Sequence, residues 1–497
     1  MINIDELLKH GENINVEFKR SKNSLSKDVW ETYSAFANTG GGYIVLGVKE
    51  TQEHGHEIEG VLDPEKIVDD LYNTAANRDK VSRNVLDNNS VEVICKNGKN
   101  IVVVCINELP INQKPLYLNK KFSNAYVRKN SGDYLADDED LKRFARNAID
   151  NIDAELLNNY TLEDLDDETI LLFKEFAHKR KPEARFLEMD NFTFLKEMGV
   201  FRVDRQDNRK YKLTLAGLIF LGTEEAIASR LPHFHLDYLD KRGNVERWRD
   251  RVSSGDLDYA NLNVLKFYRI VRDKIFSTIE EPFDLDDRAV RKSKSELQIV
   301  LREALVNMLM HADYLDKESP IRCEVHDLYY LFNNPGTMKI PKDLFFVGNY
   351  SSARNDVLMS FFKKIGAAEK EGGGGKEIYS ITAKNNFREP ELEVTLKKTN
   401  LKIWIAVPSE TYEKFSDDTK AVLKVIHLNV ISKMKDIEKA TGLTNYAVRK
   451  AIKDLLDKKL IEISGKGKST VYVWKTSKLE HIANLERVKD FLVHFDK

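Results

Sequence analysis

Ala35-Phe36-Ala37-Asn38-Thr39-Gly40-Gly41-Gly42-Tyr43 decides how the front of this chain is read. A helical stretch from Asp28 to Asn38 runs into successive glycines, which let a helix end tightly and bring backbone close to a neighbour or ligand. The apolar run Tyr43 to Val48 then reads as a strand. Upstream lies Gly11-Glu12-Asn13-Ile14-Asn15-Val16-Glu17-Phe18-Lys19, in which Val16 to Lys19 alternate as a strand does. Downstream, strands at Val91 to Lys96 and Lys99 to Asn107 flank Asn97-Gly98, a hairpin signal. Another strand, Ala125 to Lys129, contains Tyr126-Val127-Arg128 and ends at Ser131-Gly132-Asp133. Acidic residues then lead into a helix expected from about Asp140 to Leu157.

These motifs, over most of residues 10–135, resemble the AlbA-like domain of the Schlafen family, often described in bacteria as DNA-binding. Nuclease members use three carboxylates, and the matching positions here are Glu12, Glu17 and Glu50. Clustered carboxylates can hold divalent metal that activates water at phosphorus. The chain departs at the third position, where Glu50 follows Lys49 in place of an aspartate. The bland alternative makes Glu17 a solvent-facing strand residue and Glu12 and Glu50 loop caps. Nucleic-acid contact without cleavage is the reading preferred here. A metal-dependent Schlafen-like nuclease acting on tRNA, other RNA or DNA, in antiphage defence, is the alternative.

A second constellation begins on the helix expected from Leu297 to Leu309. Glu303 and Asn307, four residues apart, share one face, while Leu301, Ala304, Leu305 and Met308 supply the buried side. A helix-borne glutamate can orient water, and an asparagine one turn later can hold magnesium that bridges phosphates. Far along the chain, Glu371-Gly372-Gly373-Gly374-Gly375-Lys376 can expose N–H groups to phosphate oxygens ahead of a helix. No P-loop pattern occurs.

Arg302-Glu303-Ala304-Leu305-Val306-Asn307, His311-Ala312-Asp313-Tyr314, Asn334-Pro335-Gly336, Arg354-Asn355 and the late glycines together resemble a divergent GHKL-type ATP-binding domain. The likeness spans about residues 185–408. Bacterial proteins that join such a domain to an AlbA-like one carry RecG-like or divergent AAA labels. The resemblance implies ATP and Mg2+, with Asn307 on the metal and Glu303 serving any hydrolysis. It implies further nucleotide contacts from His311, Asp313, Asn334, Gly336, Arg354, Asn355, Gly372, Gly373, Gly374 and Gly375. The aspartate that normally reads adenine is absent at Asn334-Pro335-Gly336-Thr337, and Met310 and His311 replace a carboxylate expected after the helix asparagine. The bland alternative is a helix-to-strand polar network beside a mobile glycine loop.

The third constellation runs from Asp417 to Trp474. Val422, Val425 and Ile426 mark one helix; Met434, Ile437 and Ala440 mark a second, closed by Gly442. Thr444 suits an N-cap for a third helix to about Lys458, with Val448, Ile452, Leu455 and Leu456 as its apolar stripe. Leu460 to Ile463 and Thr470 to Trp474 read as wing strands. A winged helix of this kind would contact DNA through Tyr446, Arg449, Lys450 and Lys453 on the recognition helix and Lys466 and Lys468 on the wing. A winged helix used only for protein contact is the alternative. The stretch Lys478 to Phe495 repeats apolar residues at Leu485, Val488, Leu492 and Phe495, a spacing for a helix–helix seam or dimer.

With 497 residues, the chain exceeds one hydrophobic core. The expected architecture is multi-domain α/β: an AlbA-like α+β domain at 1–137, a helical linker and winged-helix-like module at 138–222, a degenerate GHKL-type α/β sandwich at 223–408, a winged helix-turn-helix at 415–475 and an amphipathic helix at 478–497. Three cysteines without ligand spacing, Cys95, Cys105 and Cys323, fit a reducing cytoplasm without structural zinc or disulfides. The opening MINIDELLKHGEN is polar, so no signal peptide is expected, and no apolar run suggests a membrane partner. A net charge of -2 leaves basic patches to local sequence. The expected function is a nucleotide-responsive, DNA-binding transcriptional regulator that favours duplex DNA, with RNA as a second substrate class and a homodimer as its assembly.

Overall fold

The computed structural model describes residues 4, 7–8, 11–51, 55–243, 246–279, 287–348, 352–368, 373–385, 387–408, 415–429, 431–458, 460–464 and 470–475. Gly372, Lys466, Lys468 and the stretch 478–497 therefore lie outside the described residues. Two compact units emerge: residues 1–150 with 336–340 and 395–397, and residues 151–335 with 341–394 and 398–497.

In the first unit, β1 (Val16–Lys19), α1 (Val29–Asn38), β2 (Gly42–Leu46), β3 (Val48–Thr51) and β4 (Gly55–Ile58) precede α2 (Pro64–Ala76). The hairpin β5 (Val91–Lys96) and β6 (Lys99–Ile106), the hairpin β7 (Tyr126–Lys129) and β8 (Gly132–Leu135), and α3 (Asp138–Asn147) follow. The main sheet has the order β1-β2-β6-β5, with β1 and β2 parallel. Alternation along β2 and β6 sends Ile44, Leu46, Val102 and Val104 to a core with Val29, Tyr33 and Phe36 from α1. Val45 and Val103 face the opposite side with Val16 and Phe18. Asn97 and Gly98 both adopt positive φ, as a two-residue hairpin turn requires.

The glycines after α1 have distinct geometric reasons. At Gly41, φ is +70°, and a Cβ would stand 2.8 Å from the carbonyl oxygen of Ile106. A Cβ on Gly42 would stand 2.7 Å from the carbonyl oxygen of Asn15 and 2.8 Å from the Phe36 ring. The helix expected to reach Leu157 ends at Asn147 instead. Asn151 turns left-handed, and Leu156–Leu157 becomes a short strand, β9, paired antiparallel with Leu213 and Thr214.

The second unit continues with α4 (Asp167–Arg180), α5 (Asn191–Met198), β10 (Phe201–Val203), β11 (Tyr211–Thr214), α6 (Leu215–Leu221) and α7 (Glu224–Arg230). Next come β12 (Leu236–Asp240), β13 (Asp250–Ser253), α8 (Val264–Ser277) and the long α9 (Asp287–His311). Then follow β14 (Ile321–Val325), β15 (Tyr329–Pro335), α10 (Asp356–Lys364), α11 (Gly374–Lys384), β16 (Glu391–Val394) and β17 (Lys398–Trp404). These strands make a six-stranded mixed sheet, β13-β12-β14-β15-β17-β16. Asn334 and Pro335 extend β15 and pair with Thr399 and Lys398.

The same unit ends in α12 (Asp417–Asn429), β18 (Ile431–Ser432), α13 (Met434–Thr441), α14 (Asn445–Asp457), β19 (Ile461–Ser464) and β20 (Val471–Trp474). The sheet order is β18-β20-β19, around a core that includes Val422, Ile426, Ile437, Val448, Ile452 and Leu455. Gly442 is left-handed at the end of α13, and the Thr444 hydroxyl accepts from the Ala447 N–H as the cap of α14.

Candidate functional sites

The first-unit carboxylates converge. Glu17 is buried on β1 rather than solvent-facing, because Arg128 from β7 donates Nη2 to its Oε2 at 2.8 Å and Lys19 Nζ reaches its Oε1 at 2.7 Å. The Arg128 guanidinium is fully buried. It also donates to Asp133 at 2.8 Å and to the Asn13 carbonyl at 2.7 Å, and lies 5.0 Å over the Phe36 ring. Asp133 in turn accepts from the Thr32 hydroxyl of α1. Glu12 Oε1 accepts from the Phe18 N–H at 3.0 Å. Burial, then the neighbouring Glu17 and Glu50 carboxylates, pushes Glu12 up to about 7. Glu50 on β3 stands opposite His56 of β4, whose ring meets Phe18 edge-on at 6.0 Å.

These three carboxylates do not fit a divalent cation in this arrangement. Glu17 already pairs with two cations, and burial beside Glu17 and Glu50 pushes Glu12 up to about 7. Among the described residues, no group of three or more His, Cys, Asp or Glu side chains is placed to hold a metal. The backbone of the motif is held by Asn38: its Nδ2 donates to the carbonyls of Leu116 and Tyr126, each at 2.9 Å, and its Oδ1 accepts from the Leu116 N–H. His56 and Asp133 are site neighbours that sequence reasoning did not single out as site residues. Only pairing across strands reveals His56.

In the second unit, Glu303 and Asn307 sit half-buried on α9, with Asn307 Nδ2 3.4 Å from Glu303 Oε1. The glycine run does not form an open loop where it is described. Gly373 caps α11, and Gly374 and Gly375 are its first residues. A Cβ on Gly374 would lie 2.2 Å from Glu303 Oε1, and one on Gly375 would lie 2.2 Å from the Phe345 carbonyl oxygen. The glycines thus serve close packing, with the Glu303 carboxylate against the start of α11, where helix N–H groups favour an anion.

Several other expected nucleotide contacts bind backbone. Asn355 Nδ2 donates to the Met310 and Ala312 carbonyls at 2.9 Å each, and Arg354 Nε donates to the His311 carbonyl at 3.2 Å. Both therefore hold the C-terminal end of α9. Asn334 Nδ2 also approaches the His311 carbonyl, at 3.5 Å. Asp313 is buried, and its Oδ1 accepts from the Leu315 N–H. Gly336, at φ +90°, donates its N–H to the Lys397 carbonyl.

Residues 12–137 match the family described as "Schlafen, AlbA_2", and residues 321–403 match one described as "ATP-dependent DNA helicase recG C-terminal". The chain joins an AlbA_2 domain to a divergent ATPase-type domain. The first match contains Glu12, Glu17, Glu50, Arg128 and Asp133, whereas the second begins downstream of Glu303 and Asn307. Residues 142–237 match a domain of unknown function, DUF8451. No curated protein matches the chain. Among solved structures, the DIP2311 protein from Corynebacterium diphtheriae is 14% identical, with a TM-score of 0.40 over 94% of this chain and 93% of that one. The N-terminal domain of an "ATP-dependent DNA Helicase RecG-related Protein" from Nitrosomonas europaea is 25% identical, with a TM-score of 0.22 over 28% of this chain and 95% of that one. The AlbA_2 and recG C-terminal family matches mark a nucleic-acid-related protein.

At the C-terminal end of the described chain, α14 buries Val448, Ile452 and Leu455 and exposes Tyr446, Arg449, Lys450 and Lys453. Tyr446 is 80% exposed. Arg449 Nε donates to Asn445 Oδ1 at 2.7 Å, which aligns two polar side chains one turn apart. No helix among the described residues is long and apolar enough to cross a membrane.

Proposed function

We propose that this protein is a nucleotide-responsive, DNA-binding regulator. The observation that carries the reading is the exposed face of α14, where an aromatic and three cations stand on a helix whose opposite face is packed. In the winged-helix reading this helix enters a major groove, and cations on the wing reach phosphates. The AlbA_2 domain supplies a second nucleic-acid contact, and the ATPase-type domain senses the nucleotide.

Asn307 would hold the magnesium carried by ATP, and the start of α11 would receive phosphate oxygens. Magnesium supplies charge neutralisation between phosphates. Glu303, now against Gly374, occupies the position an incoming phosphate would claim. ATP therefore favours an arrangement in which that carboxylate has moved, and DNA affinity changes by the difference in nucleotide affinity between the two arrangements. The engagement of Glu17 by Arg128 and Lys19 favours binding over metal-dependent cleavage in the first unit.

The test incubates purified protein with labelled tRNA, single-stranded DNA and duplex DNA, with and without magnesium and ATP. Duplex DNA should bind without cleavage, with an affinity that ATP alters in wild type and not in Asn307→Ala. Cleavage abolished by Glu17→Gln would install the nuclease alternative. Failure to bind any nucleic acid would overturn both.

A further inference from the structure

A cavity of about 490 Å³ opens between α4, α8, α9 and the turn after α10. Its walls carry four cations: Lys179 and Arg180 from α4, Arg272 from α8 and Arg302 from α9. Among the described lining residues, Asp273 is the lone carboxylate, and Arg272 already binds it at 2.7 Å. Arg302 is different in kind: its Nε is buried, without a hydrogen-bond partner among the described residues. The same guanidinium lines the cavity and adds its positive charge to that wall.

The aromatic walls hold two of the other cations in place. Arg272 lies 5.7 Å over the Phe176 ring and 5.6 Å over the Tyr268 ring, and Lys179 lies 6.0 Å over Phe176. Gly366, at φ +72°, lies beside Arg180, where a Cβ would stand in ordinary contact 3.4 Å from the Arg180 Cδ. Planar guanidinium groups match the bidentate geometry of phosphate oxygens, and concentrating several in one concave site selects for multiple negative charge. The volume suits a small molecule and excludes a duplex.

We propose that this cavity binds a small oligophosphate anion. The site is separate from the nucleotide site proposed above. Its described lining takes Gln298, Ile299 and Arg302 from α9 and includes neither Glu303 nor Asn307.

Calorimetric titration of the full chain with sodium tripolyphosphate in EDTA tests this without a metal–nucleotide complex. Orthophosphate serves as the weaker comparison. Wild type should bind tripolyphosphate more tightly than orthophosphate. Each lost arginine should weaken tripolyphosphate about tenfold, so Arg272→Gln combined with Arg302→Gln should weaken it about a hundredfold. Lys179→Gln, at an exposed position, should weaken it by a smaller factor. Unchanged affinity in a double variant that keeps the wild-type melting temperature would overturn the proposal. So would no binding to wild type at millimolar concentration. If the double variant does not fold, Lys179→Gln decides, and unchanged affinity there overturns the assignment.

Discussion

Arg128 Nη2 and Glu17 Oε2 meet at 2.8 Å, and the guanidinium that makes this contact has no solvent exposure. The same side chain also binds Asp133 and the Asn13 carbonyl, so β1, β7 and β8 close on one cation. Removing the cation leaves two shielded carboxylates facing each other across its former place. Arg128→Met should therefore cost about 3 kcal/mol, toward the lower end for breaking a buried pair because Lys19 still serves Glu17. Arg128→Lys should also destabilise, since an ammonium cannot fork between two carboxylates. Urea unfolding monitored on the first unit measures both. A loss below about 1 kcal/mol would mean that the network is dispensable.

Glu12 gives the AlbA_2 domain a distinctive response to pH. The folded state holds its proton more tightly than the unfolded chain, because burial and the nearby Glu17 and Glu50 disfavour the charged form. Its contribution is therefore neutral below the ordinary value of 4.5 and becomes destabilising as pH rises towards about 7. Glu12→Gln keeps an oxygen for the Phe18 N–H and removes that charge. The variant should match wild type in acid and gain about 1–2 kcal/mol at pH above 7, after discounting a half-exposed group for screening. Melting temperatures across the pH series check this, and parallel curves for the two proteins would contradict it.

Much of the architecture was legible from short-range signals. Asn97-Gly98, the glycines after Asn38, Gly442 and Thr444 each impose a local backbone geometry that the structure adopts. The carboxylates Glu12, Glu17 and Glu50 were also legible as a group, through resemblance. Their partners were less accessible, because Arg128 reaches Glu17 from 111 residues away and sequence carries no record of which strands meet. The late glycines were legible in kind but not in packing. Their flexibility suggested a phosphate loop, but the close approach of Gly374 to Glu303 and of Gly375 to Phe345 depends on where α11 packs. The basic cavity was hidden for the same reason: Arg180, Arg272 and Arg302 lie on three helices with unremarkable surroundings in sequence.

The contact between Gly374 and Glu303 makes a double-substitution test possible. A Cβ on Gly374 would lie 2.2, 2.8 and 2.9 Å from Oε1, Cδ and Cγ of Glu303. Gly374→Ala should cost about 1–3 kcal/mol in wild type through overpacking. In a Glu303→Ala background those three atoms are gone, and the same change should become neutral or slightly stabilising through the better helix propensity of alanine. Thermal unfolding of the four proteins gives the coupling directly. Equal costs in both backgrounds would show that α11 simply shifts away from Glu303.

The exposed face of α14 makes the most direct claim about nucleic acid. Arg449 and Lys453 are one helical turn apart and both exposed, with Tyr446 beside them and Val448 and Ile452 buried behind. If this face reads a groove, Arg449→Ala should weaken a preferred duplex by about 1–3 kcal/mol while altering sequence preference. If Lys453 meets phosphate, Lys453→Ala should weaken all duplexes alike and reduce the slope of log affinity against log salt by about one unit. Neither change removes a core contact, so melting temperatures should stay close to wild type. Fluorescence anisotropy with several duplexes across a salt series separates the two effects. Unchanged affinity and salt slope in both variants would remove α14 from the DNA interface and return the domain to a protein-contact role.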